Sequence, residues 1–592
     1  MNSNKVKEKS FKILFAFTAA LCIVAVIAIF AFLIIKSVPT FRRIGFFEFI
    51  FGIEWKPNVD DGFTGEIKGK YGVFKMIIGT IVATLGSVIV GGALGFFTAV
   101  FISKFCPKKL KGAFVTVINL LAGIPSVIFG FFGMVVLLPK LGVFSETGSG
   151  SGLLAVSLVL GLMILPTVVS LSKTSIDAVP DSYYEGARAL GATHEQAVFR
   201  AVVPAAKSGI VASIILGIGR AVGETMAVIM VAGNVVEYPK GLFQSFRVLT
   251  ANIVMEMGYA GDLQLGALIS TGVVLLLFIL IINLLTGLAT SGGKKDKTHK
   301  KRSIEPLAKF FHAIKIEKIG KIVAYVSAVI ASIGLISIIL FVCVNGIPHL
   351  TTQLLFGKYS VRNISIFPAI VTTLMTVGIS LVIAVPIGVF TAIFLNEYSK
   401  KGSKVVRIIR SAIDILAGVP SIVYALFGMV TFVAWFNGRQ SILAGSLTIA
   451  IMLLPTVVRS TEESLKSVSD TLREGSLALG AGKVRTIFKV VLPGALPGIA
   501  SAIILAMGRV VSESAPFVYT MGNCLTTMPK GVMSDGTTLA VALYTLAGEG
   551  QYLNEAYATA FVLLVIVLAL NLLANLITKK LDKKLKGSKN GK

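Results

Sequence analysis

The chain has 592 residues, of which 55% are hydrophobic and only 14% charged, and it carries a formal net charge of +27. A soluble protein of this length needs far more polar surface, so the composition excludes a soluble globular enzyme. The positive charge sits in short clusters between long apolar runs, as in loops on one side of a bilayer, and this argues against nucleic-acid binding.

Lys5, Lys7, Lys9 and Lys12 place the start of the chain in the cytoplasm. The first apolar run, about 13–35, is too long for a signal-peptide core and reads as a retained first helix. Segment 36–72, with Pro57, Asp60, Asp61 and Gly62, reads as an external loop; Arg42 and Arg43 within it are a mild exception to the charge rule. A second helix over about 73–102 returns inside at Lys104, Lys108, Lys109 and Lys111. A third, about 112–138, leads to an external Gly/Ser-rich turn at 148–152, and a fourth follows over about 153–171. The polar stretch 172–208 then lies inside, helix five covers about 209–232, and helix six, after an external loop, about 264–288.

A basic linker, 292–321, opens the second half, whose helices fall at about 322–345, 367–396, 411–436, 442–458, 498–520 and 556–578. The final basic cluster, Lys579, Lys580, Lys583, Lys584 and Lys586, returns the chain to the cytoplasm. The expected fold is an all-α polytopic membrane protein with about twelve transmembrane helices in two parallel six-helix repeats, 1–291 and 322–592. Four cysteines (22, 106, 343, 524) and four histidines (194, 299, 312, 349) fall in no metal or disulfide spacing, so no metal site is expected.

The repeat is explicit in the residues. Ala122-Gly123-Ile124-Pro125-Ser126 returns as Ala417-Gly418-Val419-Pro420-Ser421, and Leu165-Pro166-Thr167-Val168-Val169 as Leu454-Pro455-Thr456-Val457-Val458. Gly219-Arg220 returns as Gly508-Arg509, and Gly233-Asn234 as Gly522-Asn523. An even helix count gives both halves one orientation, related by an axis along the membrane normal, with a seam where a solute could pass. A duplicated scaffold without transport is the bland alternative.

The loops 172–208 and 459–497 carry the first candidate element. Ser182-x-x-Glu185 and Thr471-x-x-Glu474 read as capping boxes that open a short helix. Gly191 and Gly480 suit the left-handed residue that ends it, Thr193 and Gln196 suit a cap on the next helix, and Pro204 and Pro493 precede the return to the membrane. The result is a compact self-capped knob, in which the carboxylates serve mainly as caps.

The fifth helices carry the second. Arg220 and Glu224, and again Arg509 and Glu513, lie deep in apolar runs, at a four-residue spacing that puts each pair on one face of a continuous helix. Ionisable groups at that depth are costly and need partners. They are either self-neutralised structural pairs or an anion path, in which each arginine fork grips a tetrahedral oxyanion and each glutamate accepts a hydrogen bond from a protonated phosphate. Thr225, Ser514, Asn234 and Asn523 are further polar candidates for the path.

Glu185-x-Ala187 with Gly191, and Glu474 with Gly480, resemble the EAA signature of ABC-importer permeases, with Val203 in place of the usual leucine and Ser476 in place of alanine. The stretch Gly219 to Ala227 looks like one membrane subunit of the bacterial high-affinity phosphate importer, and Gly508 to Pro516 like its partner subunit, here joined in one chain. The resemblance implies a type I importer permease fold in the bacterial cytoplasmic membrane. It also implies that the two knobs dock two copies of a separate ATPase subunit, which would hold the ATP and Mg; the sequence contains no G-x-x-x-x-G-K-[ST] loop of its own, and no cofactor is expected in this chain. An extracytoplasmic phosphate-binding protein and inorganic phosphate are the other implied partners, with room for a regulatory protein. A permease for molybdate, sulfate or phosphonate, and a phosphate-sensing scaffold, remain as alternatives.

Overall fold

The computed structural model describes residues 2–57, 69–146, 148–291, 316–360, 363–399, 403–523, 525 and 528–587. The linker therefore lies outside the described residues as far as residue 315, and Cys524, His299 and His312 lie outside them too. Helices dominate. Among the described residues one antiparallel strand pair joins Trp55–Lys56 to Lys70–Tyr71, so segment 36–72 is less of a loop than expected. The first helix runs on to Ile44, and Arg42 and Arg43 occupy its last turn, where cations complement the exposed carbonyls of a helix end.

Among the described residues nine helices are long and apolar enough to cross a bilayer, or eleven if two sharply bent helix pairs each count as one span. About twelve helices were expected; one bent pair, His194–Ala205 with Lys207–Gly223 at 69°, leads into the fifth segment of the first repeat, and the rest of the difference has a local cause in the third segments. The third segment of each repeat breaks at its Ala-Gly-x-Pro-Ser motif. In the first repeat Lys108–Ala122 stops and a helix restarts at Ser126; in the second, Val406–Gly418 and Ser421–Val433 meet at 98°. The proline fixes an extended turn, with φ −58° at Pro125 and −62° at Pro420, and offers no N–H to a helical ladder. An external loop was expected after each fifth helix. These loops contain the helices Leu249–Glu256 and Leu539–Glu549, whose Leu249, Ile253, Leu539 and Leu543 are fully buried.

The described chain divides into two compact units that cut across the repeats. One comprises Met1–Arg43, Glu256–Val273 and Asn345–Lys592; the other comprises Ile44–Met255 and Val274–Val344. The opening helix of each repeat thus packs in the unit built mainly from the other repeat. In the first unit Phe15 meets Phe390 at 5.3 Å between ring centroids, and the Cys22 thiol lies 3.4 Å from the Thr391 hydroxyl. In the second, Tyr325 meets Phe101 edge-on at 4.8 Å, and Phe341 packs against Phe131 and Phe132.

Helix Ile316–Gly346 shows why such segments suit a bilayer. Val329, Ile333, Ile336, Leu340 and Val344 form an exposed apolar stripe at helical spacing, while Ala324, Ala328, Leu335 and Val342 face protein. A helix apolar on every side needs lipid on its outer face. Elsewhere small residues let backbones approach. A Cβ placed on Gly91 would lie 2.2 Å from the Gly161 carbonyl oxygen of helix Leu153–Asp177. Gly91→Leu is expected to cost about 3 kcal/mol or more through overpacking, seen as a lowered Tm and aggregation of detergent-solubilised protein, with Gly91→Ala less severe.

Candidate functional site

The Leu-Pro-Thr-Val-Val motif lies inside one long helix of each repeat, Leu153–Asp177 and Ile442–Lys466. Glycines of a neighbouring helix press on it: a Cβ on Gly95 would come within 2.9 Å of Val168, and one on Gly388 within 2.6 Å of Val457. This packing fixes the threonine that precedes each valine. Arg220 Nη1 donates to Thr167 Oγ1 at 3.0 Å, and Arg509 Nη1 donates to Thr456 Oγ1 at 3.2 Å. The same arginine–threonine bond thus recurs in both repeats.

The helix carrying each arginine does not continue as expected. Lys207–Gly223 ends one residue before Glu224, whose backbone is extended at φ −74°, ψ 136°; a new helix, Met226–Val231, follows. Leu492–Ser512 ends likewise before Glu513, at φ −80°, ψ 142°, and Ala515–Thr520 follows. The i,i+4 helical face assumed from the spacing is therefore interrupted at the glutamate itself. Irregular backbone at membrane depth is tolerated where protein satisfies it or where it lines a cavity. Here the Thr250 hydroxyl donates to the Glu224 carbonyl at 2.9 Å. The Glu224 carboxylate engages the Ser126 hydroxyl and the backbone N–H groups of Thr225 and Ala227, and feels the Arg220 charge.

In the second repeat Arg509 Nε lies 3.7 Å from Glu513 Oε1, an ion pair longer than a hydrogen bond, and the two side chains are 34% and 20% exposed. The guanidinium is held by threonine and neutralised by glutamate, yet stays accessible. Tyr424 stands within electrostatic reach of both and donates its hydroxyl to the Leu416 carbonyl at 2.7 Å. The motif register places Phe129 at the corresponding position of the first repeat, so the two half-sites differ in polarity. Thr225 and Ser514 are buried beside the glutamates; Thr225 donates to the Gly223 carbonyl at 3.4 Å, and Ser514 Oγ has no hydrogen-bond partner among the described residues.

Asn234 and Asn523 sit farther along, in turns after the short helices. Asn234 takes φ 59°, donates Nδ2 to the Ile229 carbonyl at 2.8 Å and accepts Arg247 Nε on its own carbonyl oxygen at 2.8 Å. Asn523 is exposed. Thr167, Thr456, Ser126 and Tyr424 were not among the expected site residues. The signal that marks the first three is the pair of repeated motifs, Ala-Gly-x-Pro-Ser and Leu-Pro-Thr-Val-Val.

Thr167→Val with Thr456→Val removes one acceptor from each arginine while keeping the shape. If solute passes the arginines, uptake is expected to fall roughly 30- to 150-fold, as about 1–1.5 kcal/mol for each of two lost hydrogen bonds would give, and Thr→Ser at both positions to restore it.

The knobs form as short helices, Asp181–Ala189 and Asp470–Ala478, with no buried side chain in either. Their caps differ from the expected boxes. Each helix starts before Ser182 or Thr471: Pro180 holds the first cap position without a side-chain bond, and Ser469 holds the second, accepting from the Thr471 N–H at 3.3 Å. Ser182, Glu185, Thr471 and Glu474 are left exposed on the first turns, with Ala187 half-buried. Gly191 and Gly480 do take the left-handed conformation, at φ 88° and 79°, and the Thr193–Gln196 capping box is present. Ser476, where alanine is usual, bonds the Thr486 hydroxyl at 3.0 Å and so ties the two short helices together.

Equivalent apolar side chains crown both knobs. Leu190 and Leu479 are each 91% exposed, with Tyr183 and Leu472 about half exposed beside them. Each knob is also tied to an opening helix within its own unit. Lys321 pairs with Glu195 at 2.9 Å and holds that carboxyl down to about 2, while Glu317 pairs with Arg200. In the other unit the Glu8 carboxylate accepts from the Lys483 N–H at 2.9 Å, and Phe11 packs on Phe488.

Residues 91–291 and 384–587 each match the family described as binding-protein-dependent transport system inner membrane component. A phosphate transport system permease protein PstA homolog of Mycoplasma pneumoniae is 28% identical over 581 residues, covering 85% of this chain and 84% of that protein. A probable ABC transporter permease protein YqgH of Bacillus subtilis is 38% identical over 45% of this chain and 87% of its own length. A phosphate transport system permease protein PstC of Pasteurella multocida is 31% identical over 43% of this chain and 85% of its own. The long relative spans both repeats, and the shorter ones match about half of the chain, as a fusion of two permease-like halves requires.

Proposed function

Because the chain belongs to the binding-protein-dependent transport system inner membrane component family, we propose that it forms the whole membrane pathway of an ATP-driven importer of inorganic phosphate. The observation that carries the solute class is the repeated Arg–Thr–Glu arrangement at a broken membrane helix. A guanidinium presents five N–H donors in a plane and suits bidentate contact with a tetrahedral oxyanion. Glu224 and Glu513 balance the arginines when the pathway is empty and accept a hydrogen bond from a protonated phosphate, which sulfate does not offer. The relatives named as phosphate transport permeases support phosphate among the oxyanions.

The cycle is alternating access. Both termini and both knobs lie on the cytoplasmic side, where two ATPase subunits receive the exposed leucines and hold ATP and Mg. ATP-driven closure of those subunits moves the knobs, the pathway opens outward to an extracytoplasmic phosphate-binding protein, and hydrolysis returns it inward. The chain itself carries out no bond chemistry. Competition tests the substrate: in liposomes holding the complete system, unlabelled phosphate should suppress uptake of labelled phosphate, whereas equal sulfate or molybdate should leave it unchanged. Equal suppression by molybdate would make the chain a broader oxyanion permease.

A further inference from the structure

A cavity of about 300 Å³ opens in the second repeat, lined by Arg410, Asp414, Arg459, Glu462, Glu463 and Lys466 over a floor of Ile413 and Val458. Its size lies at the lower end of small-molecule sites, roughly 300–1,000 Å³. Two helices form it, Lys404–Gly418 and Ile442–Lys466, both in one compact unit. The second of these also carries Thr456, the partner of Arg509. Arg459 and Lys466 follow Thr456 by about one and three helical turns, roughly 5 and 15 Å along the axis toward the knob. The cavity therefore stretches along the pathway helix, from beside the arginine half-site toward the cytoplasmic end.

Its charges are paired, one pair at the surface and two on a buried carboxylate. Arg410 and Lys466 converge on one oxygen of the buried Glu462, at 2.6 and 2.7 Å, and Arg459 pairs with Asp414. One carboxylate oxygen thus serves two cations. The cationic side chains are 44%, 48% and 52% exposed. The Arg459–Asp414 pair is exposed on both sides and worth only about 0–1 kcal/mol, so an incoming anion displaces it at little cost, while Arg410 and Lys466 stay on the buried Glu462. The first repeat differs: the motif register puts Val115, Ser170, Lys173, Thr174 and Asp177 where Arg410, Arg459, Glu462, Glu463 and Lys466 stand, so no arginine is present, although Lys111 and Lys173 converge there on one oxygen of Asp177.

We propose that this cavity is a second oxyanion station, on the inner side of the second repeat alone, which takes protonated inorganic phosphate as it leaves the pathway. The cations meet its charged oxygens, and the exposed carboxylate of Glu463 accepts its hydroxyl. The assignment rests on the phosphate-import reading for its ligand but is testable without transport.

The test is equilibrium binding of labelled inorganic phosphate to the full chain with its ATPase, in phosphatidylcholine nanodiscs, in the Arg220→Gln/Arg509→Gln background. One phosphate should still bind per chain. Arg459→Gln should weaken that binding more than tenfold, and the surface change Lys466→Gln severalfold, with co-elution of the ATPase as the check on folding. Sulfate should not compete. No binding at millimolar phosphate, or binding indifferent to Arg459→Gln and Lys466→Gln, would overturn the station. So would binding confined to discs with phosphatidylglycerol and unmoved by added phosphate, which would make the site one for lipid headgroups. Transport of a different oxyanion by the wild-type system is a separate failure, of the substrate reading, and leaves this binding result to stand by itself.

Discussion

Leu190→Asp with Leu479→Asp should strip the ATPase from the chain and reduce ATP-driven uptake to background. The two leucines occupy equivalent places at the glycine turns of the knobs, each 91% exposed. A leucine left this open on a self-capped helical knob has no folding role to lose, so the substitutions should leave Tm nearly unchanged. Burying a leucine in a partner's cleft contributes about 1.5–3 kcal/mol, and an aspartate there adds the cost of a desolvated charge. Two such losses correspond to at least about a 100-fold weaker complex at 1.4 kcal/mol per decade. Co-purification of the ATPase measures this directly. Undiminished co-purification would place the contact elsewhere on the chain.

Arg220→Gln or Arg509→Gln alone should lower uptake by about 100-fold or more while the ATPase stays bound. Each change removes the oxyanion fork and leaves a glutamate without its cation; because the Arg509–Glu513 pair is partly exposed, the stability cost stays below the about 3–5 kcal/mol of a fully buried pair. Arg509→Lys keeps the charge but loses the planar fork, so an intermediate loss of about tenfold is expected. Glu513→Gln in the Arg509→Gln background separates the two effects. It should recover thermal stability, because the stranded charge is gone, without recovering uptake. Recovery of both would reduce Arg509 and Glu513 to a structural pair.

Much of this arrangement is legible in the residues. Hydropathy and basic clusters locate the membrane segments because a bilayer forces backbone self-satisfaction and charge sorting, two rules that act on composition alone. The left-handed glycines at 191 and 480 are legible because a φ near +80° leaves few other choices. Breaks inside membrane helices are not. Nothing in a Gly-Glu-Thr or Ser-Glu-Ser tripeptide forces the helix to end, and the Glu224 break depends on the Thr250 hydroxyl, 26 residues away. The bonds from Arg220 to Thr167 and from Arg509 to Thr456 each span 53 residues, and periodicity carries no information about such pairs. The capping boxes mislead for a related reason. A Ser-x-x-Glu pattern specifies a start only when the chain enters there, and Pro180 and Ser469 move the entry upstream. The exchange of opening helices between units is likewise a property of tertiary packing, invisible to a repeat read along the chain.

The most direct test of the central claim is accumulation of labelled phosphate inside liposomes that contain this chain, its ATPase and the phosphate-binding protein, with ATP on the cytoplasmic face. Uptake should rise above the external concentration, require all three proteins and hydrolysable ATP, and disappear in the Arg220→Gln/Arg509→Gln protein at equal ATPase occupancy. Full accumulation by that double variant, or wild-type protein that hydrolyses ATP yet gathers no phosphate, would contradict it.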